Sequence, residues 1–144
     1  MQRFALIASL SFGLASCSGN RSDTYVDELL KHANDVVNVS LTVRNNTSAI
    51  AAAPKLKEIC NRWESFRASH RYASSSREEF DALVERHEPE VRGTAMSLYD
   101  EYQRIRQLDI KDEKFFDAWR LCGQFYRELQ PFGGGKVQQS PWGN

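Results

Sequence analysis

Apolar residues recur at three- and four-residue steps in four stretches of the chain, the spacing of one face of an α-helix. From Thr24 the positions are Tyr25, Val26, Leu29, Leu30, Ala33, Val36 and Val37. The continuation "VVNVSLTVRN" is ambiguous, because Val37, Val39, Leu41 and Val43 alternate as a strand would and their β-branching lowers helix propensity. A lone strand has no partner elsewhere in the sequence, so the segment reads as helix, with Asn45-Asn46 as its stop. Thr47 or Ser48 can cap a second helix, with Pro54 near its first turns. Leu56, Ile59, Cys60, Trp63, Phe66 and His70 form its stripe.

Ser75 with Glu78, or Ser76 with Glu79, has capping-box spacing and opens a third helix. Phe80, Leu83, Val84, His87, Val91, Ala95, Leu98, Tyr102 and Ile105 share its inner face. The phase survives Pro89, which points to one kinked helix rather than two. An acidic start in "LDIKDEKFF" introduces the fourth, with Phe115, Ala118, Trp119, Cys122, Tyr126 and Leu129 inside and Pro131 closing it. The expected fold is therefore all-α: an antiparallel up-down bundle of about four helices over residues 24–130, with a long kinked third helix. Residues 131–144 read as a flexible Gly-rich tail.

The chain begins with a different pattern. Met1-Gln2-Arg3 carries one positive charge, and Phe4 to Leu14, "FALIASLSFGL", is apolar apart from serines and a glycine. This is a secretory signal pattern, too short for a span of roughly 20 apolar residues. Leu14-Ala15-Ser16-Cys17 then resembles the bacterial lipobox, a leucine and two small residues before a cysteine. The resemblance implies a lipoprotein precursor: residues 1–16 are a signal peptide cut before Cys17, and Cys17 carries the lipid, diacylglycerol on its thiol and an acyl chain such as palmitate on its amino group. Several chains meet the requirement for stable anchoring, at about 0.8 kcal/mol per buried methylene. Residues 17–23 become a lipidated tether. Ser18 follows the cysteine where some bacteria use Asp for inner-membrane retention, which favours the outer membrane.

Removing residues 1–16 from 144 leaves 128, enough for one domain with a core. Nineteen Lys and Arg balance nineteen Asp and Glu, so there is no basic excess to bind nucleic acid through its phosphates. "NVS", "NNT" and "NTS" match glycosylation sequons, which behind a bacterial lipobox are coincidences of an Asn-rich segment. Export also bears on Cys60 and Cys122, because disulfides form and persist outside the cytoplasm. They are either the one intramolecular bond available or two buried thiols acting as small hydrophobes. From the turn near Ser75, Cys60 lies about 22 Å up helix two, and Cys122 about 28 Å up helix four. The levels match within about one helical turn. A bond follows if helices two and four are neighbours, as in a three-helix core with helix one laid across it. It fails in a square bundle that keeps them diagonal.

Candidate chemistry is thin. A di-iron bundle needs Glu-x-x-His, but Leu29, Arg67 and Val84 stand three residues before His32, His70 and His87. A haem would draw axial ligands from His70, His87 and Met96, yet His70 and His87 differ by about 10 Å in level. "ERHEPE", Glu85 to Glu90, gathers charge around His87 without a nucleophile or phosphate loop beside it. No catalytic or metal-ligating set emerges, and no cofactor is expected. The weak pocket candidates are His87 and Met96.

Aromatics are more plentiful than an inner stripe requires. Trp63, Phe116, Trp119 and Phe125, with arginines nearby, are the candidate interface residues. The expectation is a non-enzymatic envelope lipoprotein, anchored through lipid, whose bundle meets an unidentified envelope protein. The competing expectation is a small-molecule, metal or haem-binding bundle facing the periplasm.

Overall fold

The computed structural model describes residues 21–72 and 76–134. They form four α-helices: α1 (Arg21–Ser40), α2 (Asn46–Ser69), α3 (Arg77–Arg106) and α4 (Glu113–Leu129), followed by a 3-10 turn over Gln130–Phe132. The protein is all-α, and its core runs along the bundle with Trp63, Phe115, Phe125, Tyr126, Leu29, Leu56, Leu83 and Leu98 fully buried. Each of these but Phe125 falls on a stripe drawn from the sequence, as burial of one helical face requires.

Helix directions alternate along the chain, but neighbours in space are not neighbours in sequence. α1 lies against α2 and α3, and α4 lies against α2 and α3. α1 also approaches α4 across the centre, whereas α2 and α3 do not approach each other. The polar cross-links give the directions. Asp23 reaches His87, Asn34 reaches Thr94, and the Ser40 carbonyl reaches Arg104, so α1 and α3 ascend together. Asn46 reaches Lys111 and Arg67 reaches Glu128, so α2 and α4 descend together. The α2–α3 connection thus crosses the long diagonal. This corrects both packings expected from sequence. The bundle is not a square in chain order, and α1 is not laid across a three-helix core.

The local signals decide the helix ends. The ambiguous stretch stays helical to Ser40, whose hydroxyl bonds the Val36 carbonyl at 2.6 Å, and the chain then turns to bury Val43. Asn45 does not stop α1 as expected; it opens α2. Its extended backbone (φ −160°) lets its side chain accept from the Ser48 amide at 3.0 Å, while Ser48 Oγ accepts from the Asn45 amide at 3.0 Å. This reciprocal box displaces Thr47 and Ser48 as caps, because Asn is among the strongest N-caps. With α2 beginning at Asn46, Pro54 sits in the helix interior, where it removes the donor for the Ile50 carbonyl. Ser76 caps α3 by accepting from the Glu79 amide at 3.2 Å, and Asp112 caps α4 by accepting from the Phe115 amide at 2.7 Å. α3 runs as one helix of 30 residues through Pro89.

Both domain limits move outward. Arg21 to Asp23 belong to α1 rather than to a tether, and Ser22 is buried. Phe132 is not part of a loose tail: it is buried and packs on Tyr25, Tyr72 and Phe80. Gly133 at φ +112° then turns the chain against Glu88, a conformation that an L side chain rarely adopts. The signal segment, Cys17 and residues 135–144 lie outside the described residues.

Candidate functional site

The bundle has two distinct ends. At the end where α1 begins, Glu128 of α4 is a polar hub. Its carboxylate accepts from Tyr25 Oη at 3.0 Å, Trp63 Nε1 at 3.2 Å and Arg67 Nη1 at 2.7 Å. Arg67 also holds Glu64 at 2.8 Å. Burial and the Glu128 charge push the Tyr25 phenol well above its ordinary value, so it serves as a donor throughout the physiological range. Around this hub Trp63 meets Tyr25 edge-on at 5.3 Å and stacks on Phe66 at 5.6 Å. The hub was missed in sequence because Glu128 reads as a surface residue next to the apolar Leu129.

His87 lies beside this end, joining α3 to the first turns of α1. Its Nε2 is 3.1 Å from Asp23 Oδ1, and its Nδ1 is 3.8 Å from Asp27 Oδ1. Arg86 donates to the same Asp23 oxygen at 2.8 Å. Burial works to raise the Asp23 pKa, but the hydrogen bonds and charges of Arg86 and His87 outweigh it and hold the carboxyl below its ordinary value. Met96 is half-exposed on the same helix. His87 and Met96 are therefore not brought into one pocket, since the imidazole is engaged by α1 and Met96 faces solvent. His70 is elsewhere again, stacked on Phe66 at the end of α2.

The opposite end is held by hydrogen bonds to loop backbone. Arg104 donates to the Ser40 and Val43 carbonyls, each at 2.7 Å, and to buried Glu101 at 2.7 Å. A cation thus meets the negative end of the α1 dipole, bonding the carbonyl of its last residue and one in the loop that follows. Asn46 Oδ1 accepts from the amides of Lys111 and Asp112 at 2.8 and 3.1 Å, tying the first loop to the third.

Two grooves flank α4 here. The larger, about 610 Å³, lies between α2 and α4, with Ile50, Pro54 and Leu121 among its apolar residues and Lys57, Lys114 and Asp117 at its edge. The smaller, about 260 Å³, lies between α3 and α4, where Phe116 and Trp119 meet Arg106 and Arg120. Of the four candidate interface residues, only Phe116 is exposed. Trp63, Trp119 and Phe125 are buried, a correction to the interface expectation: Trp63 and Trp119 lie on the apolar stripes themselves, and Phe125 is buried because the inner face of α4 is wider than a single stripe. Ile50 and Leu121, both half-exposed, were overlooked. Their position off the apolar stripes was the available signal.

Cys60 and Cys122 meet where α2 lies along α4. Both are buried thiols, with their sulfurs 3.6 Å apart. The hydrogen bond between them lowers the Cys60 pKa and raises that of Cys122, which burial raises further.

Among the described residues, no group of three or more His, Cys, Asp or Glu side chains is placed to hold a metal ion, and no helix is long and apolar enough to cross a membrane. The chain matches no protein-family model, curated protein or solved structure.

Proposed function

We propose that the protein is an envelope lipoprotein, held to a bacterial membrane by lipid on Cys17, whose helical bundle serves as a non-enzymatic interaction module. The observation that carries this reading is the order of parts in the sequence: a short apolar leader, Leu14-Ala15-Ser16-Cys17, and a folded helix from Arg21. With three residues between lipid and helix, the Tyr25–Trp63–Glu128 end stands next to the membrane. The Arg104 end stands away from it by the length of α1, about 30 Å for twenty residues.

The membrane-distal end is also where apolar side chains are exposed beside arginines. Phe116, Leu121 and Ile50 border the two grooves, with Arg106 and Arg120 alongside. Aromatic and arginine enrichment is typical of the buried centre of protein interfaces. A second reading draws on the larger groove. Its volume and apolar floor suit a small amphipathic carboxylate, with Lys57 or Lys114 meeting the charge.

Fractionation tests the anchor. Cys17→Ala should release a folded domain from membranes; a variant that remains membrane-bound after normal processing would refute the lipid assignment. Pull-down from membranes with the tagged, anchored protein tests the docking role. Phe116→Ala combined with Leu121→Ser should lose a partner that the parent retains. A stoichiometric small molecule released on denaturing the purified protein would favour the second reading.

A further inference from the structure

We infer that Cys60 and Cys122 are a built disulfide site, which closes under oxidising conditions and joins the α1–α2 hairpin to the α3–α4 hairpin. Three observations converge on it. The residues are 62 positions apart in sequence, yet their sulfurs lie 3.6 Å from each other. They sit on parallel, directly packed helices, so the pairing follows from the diagonal α2–α3 connection rather than from chance contact across a loop. Both side chains are buried, so neither sulfur has a competing role at the surface. A disulfide needs about 2.05 Å between sulfurs. The two sulfurs, on helices already in direct contact, must approach by about 1.5 Å more.

The chemistry is a two-electron exchange with an acceptor disulfide, either glutathione disulfide or the active-site disulfide of a thiol oxidoreductase. One cysteine thiolate attacks the acceptor, forming a mixed disulfide and releasing one acceptor thiolate. The second cysteine thiolate attacks the protein sulfur of that mixed disulfide and expels the other acceptor thiolate. The protein loses two protons and two electrons, and the acceptor gains them as two thiols. Burial of both sulfurs places the first step during folding or in a transient opening of the α2–α4 seam.

The bond would close a long loop, and it lies beside the larger groove. Lys57 on one wall is less than a turn from Cys60, and Leu121 on the other adjoins Cys122. Oxidation therefore fixes the spacing of the two helices that form that groove. Formation in the cell rests on the export reading; formation in vitro does not.

The test uses the full chain carrying Cys17→Ser, so that only Cys60 and Cys122 hold thiols. After refolding with oxidised and reduced glutathione, the expected product is monomeric, lighter by two hydrogens, and unreactive to alkylation in denaturant. Reduction should lower its Tm by at least about 10 °C. The same chain with Cys60→Ala and Cys122→Ala added should show no response to reductant. Two alkylatable thiols, stable glutathione adducts, or a bonded form no more stable than the reduced one would each overturn the inference. A bond that forms in vitro while the chain isolated from cells keeps both thiols would support the site and count against export.

Discussion

The two ends of this bundle hold their helices together by different means. At the end where α1 begins, aromatic rings pack around a carboxylate, with Tyr25, Trp63 and Arg67 all satisfied by Glu128 and Phe132 folded back over the cluster. At the other end, side chains are bonded to loop carbonyls and amides, and apolar surface is left open in two grooves. Ring packing removes large apolar area from water, so that end contributes most of its stability through burial. Loop stitching fixes geometry through backbone hydrogen bonds and leaves apolar side chains such as Phe116 and Leu121 exposed. The contrast separates an end closed by packed rings from an end stitched at its loops, where apolar side chains stay exposed.

Removing the centre of the aromatic end should have the largest effect. Trp63→Ala deletes a fully buried ring and leaves the Glu128 carboxylate short of a donor, with an expected loss of about 4 kcal/mol in urea unfolding. Phe132→Ala should cost about 3 kcal/mol. A result near zero for Phe132→Ala would show that the final turn adds nothing and that the ring-packed end stops at Leu129.

Breaking the stitched end should cost less. Arg104→Ala removes charge-assisted bonds to two carbonyls and leaves buried Glu101 without its partner, for an expected loss of about 2–3 kcal/mol. Arg104→Lys should recover only part of it, because one ammonium cannot reproduce the guanidinium fork. Asn46→Ala leaves the amides of Lys111 and Asp112 without their acceptor and should cost about 1 kcal/mol. Faster hydrogen exchange confined to residues 41–46 and 107–112 would place that loss at the loops.

The smallest effect concerns pH. Asp23 is held below its ordinary value, near 3.8, so its ion pairs contribute stability in full above that value and lose it as pH falls through the lower, folded-state value. Stability measured from pH 5 downward should therefore decline, and Asp23→Asn should flatten part of that decline. An unchanged acid limb in the variant would show that the Arg86–Asp23–His87 contact contributes nothing to folding.

The sequence by itself determined the helices and most of their buried faces, because three- and four-residue spacing of apolar residues is a local property of the chain. It also narrowed the α3 cap to Ser75 or Ser76 and placed an acidic start before α4, signals that depend on residues three positions apart; Ser76 and Asp112 proved to be the caps. It missed the Asn45 cap, since Asn serves equally well as a helix stop and as a helix start. The burial of Phe125 was hidden because adjacent apolar residues do not reveal how wide a helix's buried face is. Which helices touch was decided only in the tertiary structure. The α2–α3 connection carries no signal that it crosses the bundle diagonally, yet that crossing places Cys60 against Cys122, brings Glu128 to Trp63, and opens the groove between α2 and α4. These are long-range juxtapositions, fixed by packing four finished helices together, and helical periodicity is blind to the partner across the core.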